Sequence, residues 1–257
     1  MRTYVVSGSA SGIGAAVADR QRAQGDRVIG VDLHDADVVA DLSTAQGRED
    51  AVRGVLQVTD RVDGVVPCAG VAGLTGTDAA LVVSLNFFGA VGLVDGLWPA
   101  LGDGASVVLL SSNSVTCQPG WDAAVARACL AGEESRARDL AAATEAVHVY
   151  PATKAALAWW TRREAVQRAR AGIRINAVAP GLVATPMTDR LRADPELGVF
   201  ADAYPSALDR PGRPDEVAAL VAFLLSSESS LLVGSVVVVD GGTDALLNPE
   251  TPGPPAS

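Results

Sequence analysis

The stretch that most constrains the fold is a strand, a glycine-rich turn and a helix at the N-terminus. Residues 3–7 are an apolar run typical of a buried parallel strand, and the turn Gly8-Ser9-Ala10-Ser11-Gly12-Ile13-Gly14 follows it directly. Residues 15–24 then show an alanine-rich helical pattern. Glycines let backbone N–H groups approach a pyrophosphate, and a helix N-terminus attracts the anion. The sequence therefore predicts a phosphate cradle. A glycine turn without a ligand is the alternative, because the spacing is G-x-x-x-G-x-G.

Asp32 stands at the end of a second apolar strand, residues 27–31. It follows the glycine turn at about the distance expected for the acid that binds an adenosine ribose. A carboxylate in this position accepts hydrogen bonds from the ribose hydroxyls and repels a 2′-phosphate. Asp32 therefore predicts NAD(H) rather than NADP(H); a solvated aspartate at a strand end is the alternative.

The rest of the chain alternates between apolar strands and helical patterns. Further strands are predicted at residues 38–42, 62–68, 106–110, 173–178 and 235–239. Helices are predicted at residues 43–58, 78–101, 150–171 and 214–225, with a further helical stretch at about 115–149. This alternation predicts an α/β fold, a Rossmann-type doubly wound parallel sheet of about seven strands in a single domain, residues 1–257. The segment from residue 187 to about 205 has no firm period and is a candidate lid, and the chain from about 249 to 257 is predicted to be a flexible tail.

A phenol and an ammonium lie four residues apart in Tyr150-Pro151-Ala152-Thr153-Lys154. On a helix, this spacing places both side chains on one face. A phenol has an ordinary pKa of about 10, and a cation nearby lowers it. The pair is therefore predicted to act as a general acid and base near neutral pH. An ordinary surface tyrosine and lysine is the alternative.

Other candidate site residues lie at strand ends or within an apolar helix. Asn86 is a polar residue in an apolar stretch, where it either holds a water in a proton relay or bonds neighbouring backbone. Ser112 follows a strand end, where open α/β sheets bind ligands, or else it caps a turn. Ala69 and Gly70 are small enough to let a cofactor pass the backbone, and Asp41 either meets the adenine or caps the next helix.

Charge and composition exclude several classes of function. The net charge of −10 and the pI of about 4.6 argue against nucleic acid or an anionic membrane as a partner. The three cysteines form no C-x-x-C pair, which predicts reduced thiols in the cytoplasm, and the two distant histidines predict no metal site. No apolar run is predicted to reach the ~20 residues of a membrane span. The first apolar run is also too short for a signal peptide.

Taken together, these residues resemble the short-chain dehydrogenase/reductase family over nearly the whole chain. The motifs that carry the resemblance, in the family's order, are the glycine turn, Asp32, Ala69-Gly70, Asn86, Ser112, Tyr150 with Lys154, Pro180-Gly181 with Thr185, and Asp240-Gly241-Gly242. Within the family the chain is similar to bacterial 3α-hydroxysteroid dehydrogenase/carbonyl reductases. That similarity is carried by the stretches at residues 32–45, 83–90 and 131–134 and by the separation of Ser112 and Tyr150. The long separation matches the helical insertion of that subgroup, which implies a homodimer.

The resemblance implies reversible hydride transfer between NAD(H) and a small apolar ketone or secondary alcohol. It implies that Tyr150 is the acid and base, that Lys154 lowers its pKa and binds the nicotinamide ribose, that Ser112 holds the substrate oxygen and that Asn86 holds a relay water. The cofactor-binding residues that it implies are Gly8, Ser11, Gly12, Ile13, Gly14, Asp32, Asp41, Leu42, Ala69, Gly70, Tyr150, Lys154, Pro180, Gly181, Val183 and Thr185.

The chain departs from the family at Cys68, where an asparagine is common.

Two other functions remain as alternatives. One is an NAD(H) alcohol dehydrogenase for a terpene, a cyclic ketone or a natural-product intermediate. An apolar pocket would suit that substrate, and its candidate residues, which plain core packing also explains, are Leu182, Val183, Met187, Leu191 and Trp121. The other is a non-catalytic NAD-binding scaffold on the same fold.

Overall fold

A sheet of seven parallel strands organises the computed structural model, which describes residues 1–250. In chain order the strands are β1 (Thr3–Ser7), β2 (Arg27–Asp32), β3 (Val38–Val39), β4 (Val62–Pro67), β5 (Leu101–Leu110), β6 (Arg174–Pro180) and β7 (Val236–Val239). Their order across the sheet is β3-β2-β1-β4-β5-β6-β7, and every neighbouring pair is parallel. The predicted α/β doubly wound fold is confirmed. The strand order reverses between β1 and β4, which is where such sheets bind ligands.

Helices connect the strands and cover both faces of the sheet. In chain order they are α1 (Gly12–Ala23), α2 (Ala45–Val58), α3 (Ala79–Val83), α4 (Ala90–Leu97), α5 (Ser114–Cys117), α6 (Ala123–Leu130), α7 (Glu134–Ala142), α8 (Ala146–Ala169), α9 (Pro186–Arg192), α10 (Gly198–Asp202), α11 (Pro214–Leu225) and α12 (Thr243–Leu247). A π-helical turn, Ser84–Gly89, joins α3 to α4, and a short 3₁₀ turn, Trp98–Ala100, leads into β5.

Two apolar cores lie on opposite faces because successive strand residues point in opposite directions. Val5 belongs to the core beneath α2, α4 and α8, whereas Tyr4 and Val6 belong to the core beneath α1 and α11. Both cores are built mainly of valine, leucine and alanine, as expected for strands that are buried on both sides.

The insertion between β5 and α8 consists of α5, α6 and α7, as predicted. Asp122 caps α6 by accepting hydrogen bonds from the amides of Ala124 and Val125. Glu134 in α7 pairs with Arg48 of α2 at 2.6 Å, and both side chains are mostly buried. Arg138 of α7 also donates to the Ser84 hydroxyl at 2.9 Å. These contacts place the insertion over α2 and the helix at residues 79–100.

Several predicted boundaries differ from the structure. β3 ends at Val39 rather than at residue 42, because the Asp41 carboxylate accepts hydrogen bonds from Ser43 and turns the chain. β5 starts at Leu101 rather than at residue 106, and α8 starts at Ala146 rather than at residue 150. The candidate lid, residues 187–205, contains all of α9 but its first residue, together with α10, and α12 was not predicted. The predicted tail beyond residue 250 lies outside the described residues.

The helical stretch at residues 79–100 corrects one expectation. It is long and apolar enough, by length and composition, to cross a membrane, and it is the one such helix among residues 1–250. The prediction that no segment reaches this length was wrong, because Asn86 and Asp95 interrupt the apolar run without interrupting the helix. The apolar part of this helical stretch is 61% buried, and Leu93 and Leu97 lie fully inside the core. Packing against the sheet therefore accounts for the apolar composition of the helix.

Candidate active site

Polar residues from separate elements meet at the carboxyl edge of the sheet. Ser112 follows β5, while Tyr150 and Lys154 lie on α8, which packs across the end of that strand. The Ser111 hydroxyl donates to the carbonyl of Lys154 at 2.9 Å. The strand end and the helix are therefore bonded to each other at the point where the predicted catalytic side chains gather.

Lys154 is almost completely buried and is the only lysine in the 257-residue chain. Its Nζ donates to the Leu110 carbonyl at 2.9 Å and lies 5.5 Å from the centre of the Tyr150 ring. Burial disfavours the charged form and lowers the pKa of Lys154 from 10.5 to about 8. The amine is therefore still mostly protonated at neutral pH, close to its point of titration.

Tyr150 is half-buried, and burial raises its pKa above the ordinary value of 10.0. The Ser112 side chain opposes this shift without cancelling it. This differs from the prediction that Lys154 lowers the pKa of Tyr150. The ammonium lies against the ring and donates to a backbone carbonyl, so in this arrangement desolvation of the phenol dominates. The phenol is protonated at neutral pH.

Asn86 lies in the π-helical turn, where its side chain bonds backbone. Oδ1 accepts from the Val71 amide and Nδ2 donates to the Val71 carbonyl, each at 2.9 Å. Of the two roles considered for Asn86, the structure therefore contains the backbone contact. A side chain on Gly70 would approach Asn86 Oδ1 to 3.0 Å and Lys154 Nζ to 4.0 Å, so Gly70 borders the same site.

The glycine turn approaches two other loops at this edge. Gly8 has a φ of +66°, and a Cβ there would lie 2.7 Å from the Ala69 amide nitrogen, so only glycine allows the two loops to meet. A Cβ on Gly12, whose φ is +57°, would lie 3.4 Å from Cγ2 of Thr185. Gly8 therefore lies against Ala69, and Gly12 lies against Thr185, at this edge of the sheet. That these residues surround a cofactor stays a prediction.

The remaining predicted cofactor residues lie in the glycine turn, in the first turn of α1, at strand ends or in the loops that follow strands. The Asp32 carboxylate accepts from the amides of Ala10 at 2.9 Å and Leu33 at 2.7 Å, which holds it beside the glycine turn. Thr185 caps α9 by accepting from the Thr188 amide. The other members are Ser11 at the start of α1, Ile13 and Gly14 within α1, Asp41 and Leu42 after β3, Pro180 at the end of β6, and Gly181 and Val183 after it.

Among these predicted cofactor residues, Asp41 has a side chain that already makes structural hydrogen bonds. Its Oδ1 already accepts from both the amide and the hydroxyl of Ser43, and Thr44 rather than Asp41 caps α2. Helix capping, one of the two roles considered for Asp41, is thus taken by Thr44. Contact with an adenine stays a prediction.

A hydrogen-bonded network beside Ser112 was not predicted from the sequence. The Tyr204 hydroxyl donates to Asn113 Oδ1 at 2.7 Å, and Asn113 Nδ2 donates to the Asp240 carboxylate at 3.0 Å. Burial raises the pKa of Tyr204, which keeps this phenol protonated. The strand-end position of Asp240 was the available signal, but the partners lie 36 and 127 residues away along the chain from Asp240 and could not be paired from spacing.

A cavity of about 500 Å³ lies next to this network, with Leu182, Tyr204, Asp240 and Leu246 in its lining. Of the five apolar pocket candidates, only Leu182 lines this cavity. Trp121 instead packs against Trp159 with ring centres 5.9 Å apart. A groove of about 630 Å³ between α2 and α4 contains none of the predicted site residues. Within residues 1–250, no cluster of His, Cys, Asp or Glu has the arrangement of a metal site.

Two family models match the chain. The model described as short chain dehydrogenase matches residues 2–126, and the one described as Enoyl-(Acyl carrier protein) reductase matches residues 137–244. The chain is 38% identical to the 3-alpha-hydroxysteroid dehydrogenase/carbonyl reductase of Comamonas testosteroni, in an alignment that covers 97% of this chain and 99% of the relative. It is 30% identical to the levodione reductase of Leifsonia aquatica, with 95% and 94% covered.

A solved structure is similar over the same length. The 3-alpha-hydroxysteroid dehydrogenase from Pseudomonas sp. B-0831, complexed with NADH, superposes with a TM-score of 0.92 and 42% sequence identity. The match covers 97% of this chain and 99% of that protein.

The lowered pKa of Lys154 can be measured directly because the chain has no other lysine. Labelling with ε-¹³C-lysine should give one NMR signal, which titrates at about pH 8 because burial disfavours the ammonium. The side chain should be charged below this pH and neutral above it. A midpoint near the ordinary value of 10.5 would contradict the buried environment described for Lys154.

Proposed function

The chain belongs to the short-chain dehydrogenase/reductase family of oxidoreductases, and on that basis we propose that it interconverts a secondary alcohol and a ketone with NAD(H). The observation that carries the proposal is the meeting of Ser112, Tyr150 and the buried Lys154 at the carboxyl edge of the sheet. A protein that only bound the cofactor would have no need of a protonated phenol beside a serine and a buried lysine.

The glycine turn and the start of α1 suit a dinucleotide. Gly12, whose φ is +57°, lets the turn adopt this conformation beside Thr185. Ser11 makes no side-chain cap to α1 within the described chain, so its hydroxyl does not compete for the first amides of that helix. These amides and the positive end of the helix dipole suit a pyrophosphate. The Asp32 carboxylate beside the turn suits the two ribose hydroxyls of NAD(H).

The chain's own residues handle the proton and the developing charge. When bound, NADH supplies the hydride. Tyr150 donates its proton to the ketone oxygen during reduction and takes it back during oxidation. Ser112 hydrogen-bonds the same oxygen and stabilises the negative charge that develops on it. Lys154 holds its ammonium against the phenol ring and favours the phenolate that forms.

The proposed substrate class is that of the 3α-hydroxysteroids, supported by the 38% identity to the Comamonas enzyme over nearly both full lengths. A cyclic ketone is the second candidate, supported by the 30% identity to levodione reductase. In both cases Asn86 supports the site by holding the Val71 backbone. Its role in a water relay stays a prediction.

The proposal includes a homodimer in the cytoplasm. α6 and α7 cover the outer side of the helices at residues 79–100 and 146–169. A second copy of the chain therefore cannot pack against those two helices. Because one face is closed in this way, a dimer is favoured over a larger assembly. Sedimentation equilibrium of the purified protein measures the mass of the assembly, and the mass of a monomer or a tetramer would overturn the dimer.

The free thiols of Cys68, Cys117 and Cys129 suit a reducing compartment, which supports the cytoplasm. Recovery of the protein outside the cytoplasmic fraction would overturn that location.

Replacing Tyr150 tests the proposed mechanism. Tyr150→Phe removes only the hydroxyl, so kcat should fall by about 10²–10⁴-fold while the Kd for NADH stays within about twofold. Steady-state kinetics and NADH fluorescence titration measure the two quantities. Tyr4→Phe is the matched control, because Tyr4 lies in the core beneath α1, and it should keep nearly full turnover. Near-normal turnover in Tyr150→Phe would remove the phenol from the mechanism.

Cofactor preference tests the role of Asp32. Because its carboxylate repels a 2′-phosphate, the wild-type protein should have a kcat/KM for NADH well above that for NADPH. Asp32→Asn should lower the ratio of kcat/KM for NADH to kcat/KM for NADPH. Asp35→Asn is the control: Asp35 lies in the exposed turn that follows, and its replacement should leave this ratio unchanged. Equal kcat/KM values with the two cofactors in the wild type would refute the assignment.

A further inference from the structure

The turn of α8 that carries Tyr150 has a gap in its hydrogen bonding. In an α-helix the amide of each residue donates to the carbonyl four residues earlier. Pro151 lies inside α8 directly after Tyr150 and has no N–H, and a proline ring also presses on the carbonyl four residues before it. The carbonyl affected is that of Val147. The catalytic turn therefore needs a donor from outside the helix.

Gln118 supplies that donor. Its Nε2 donates to the Val147 carbonyl at 2.7 Å. Gln118 directly follows α5, the short helix that starts two residues after Ser112. The amide of Asp122, in the same connection, donates to the neighbouring His148 carbonyl at 3.4 Å. The segment that follows Ser112 thus holds the first turns of the helix that carries Tyr150.

We propose that Gln118 is a positioning residue for catalysis, which sets Tyr150 against Ser112 by bonding the Val147 carbonyl that Pro151 leaves without a helical donor. The inference rests on the proposed function for the role of Tyr150. The Gln118 bond is specific to a chain with proline at position 151, since any other residue there would supply the missing N–H itself.

The effect of losing this bond is confined to the start of α8. Lys154 is held independently, through its Nζ on Leu110 and through Ser111 on its own carbonyl. Without Gln118, a half-buried carbonyl loses its partner and the turn opens to satisfy it with water. Tyr150 then moves relative to Ser112 while Lys154 stays in place. Proton transfer is lost, whereas NADH binding is kept.

A rescue experiment separates this role from general stability. Gln118→Met keeps the length of the side chain and removes the donor, so kcat should fall by at least about tenfold, with the Kd for NADH within about twofold of wild type. In Gln118→Met/Pro151→Ala, the new amide at position 151 donates to Val147, and kcat should return to within about threefold of the Pro151→Ala single variant. Gln46→Met, an exposed glutamine in α2, is the control and should behave as wild type.

Hydrogen exchange of the peptide covering residues 146–153 provides a readout that needs no turnover. Exchange should increase in Gln118→Met and return to the wild-type level or below in the double variant. Wild-type exchange and kcat in Gln118→Met, or a double variant as impaired as Gln118→Met, would overturn the inference. If the wild type turns over no carbonyl compound, the proposed function fails, and the exchange data alone decide whether Gln118 orders the turn.

Discussion

The site depends on one buried contact, the hydrogen bond from the Lys154 ammonium to the Leu110 carbonyl. It joins α8 to the end of the central strand β5 and holds a charge where water is excluded. A buried amine can shift its pKa toward neutrality, whereas a guanidinium stays charged. All other basic side chains of this protein are arginine or histidine, so the single lysine stands where a titratable cation is useful.

Three irregular features of the backbone surround this contact. The glycine at position 8 brings the N-terminal turn against Ala69, the π-helical turn aims Asn86 at the Val71 backbone, and Pro151 interrupts the hydrogen bonding of α8. Each breaks a regular element next to the site, and each is compensated by a specific hydrogen bond or close approach. The regular sheet fixes the positions of the helices and loops, and these three backbone irregularities position the reactive side chains.

The fold could be predicted from the sequence because its signals are local. Short valine-rich runs end in glycine or in polar residues and alternate with helical patterns, which defines a parallel sheet without knowledge of contacts. The same reasoning placed Ser112, Tyr150 and Lys154 at one edge. It failed where the outcome depends on partners distant in the chain: the Tyr204–Asn113–Asp240 network, the Gln118–Val147 bond and the direction of the Tyr150 pKa shift. That shift depends on how far packing removes the phenol from water, which spacing does not reveal.

The central claim is that this site reduces ketones with NADH. The most direct measurement is consumption of NADH by the purified protein with a panel of steroid 3-ketones, monocyclic terpenones and quinones, with the alcohol product quantified. The account predicts turnover of a 3-ketosteroid, with one alcohol formed for each NADH consumed. Turnover of only small cyclic ketones would keep the mechanism and change the substrate class. NADH that binds but is consumed with none of these compounds would contradict the account.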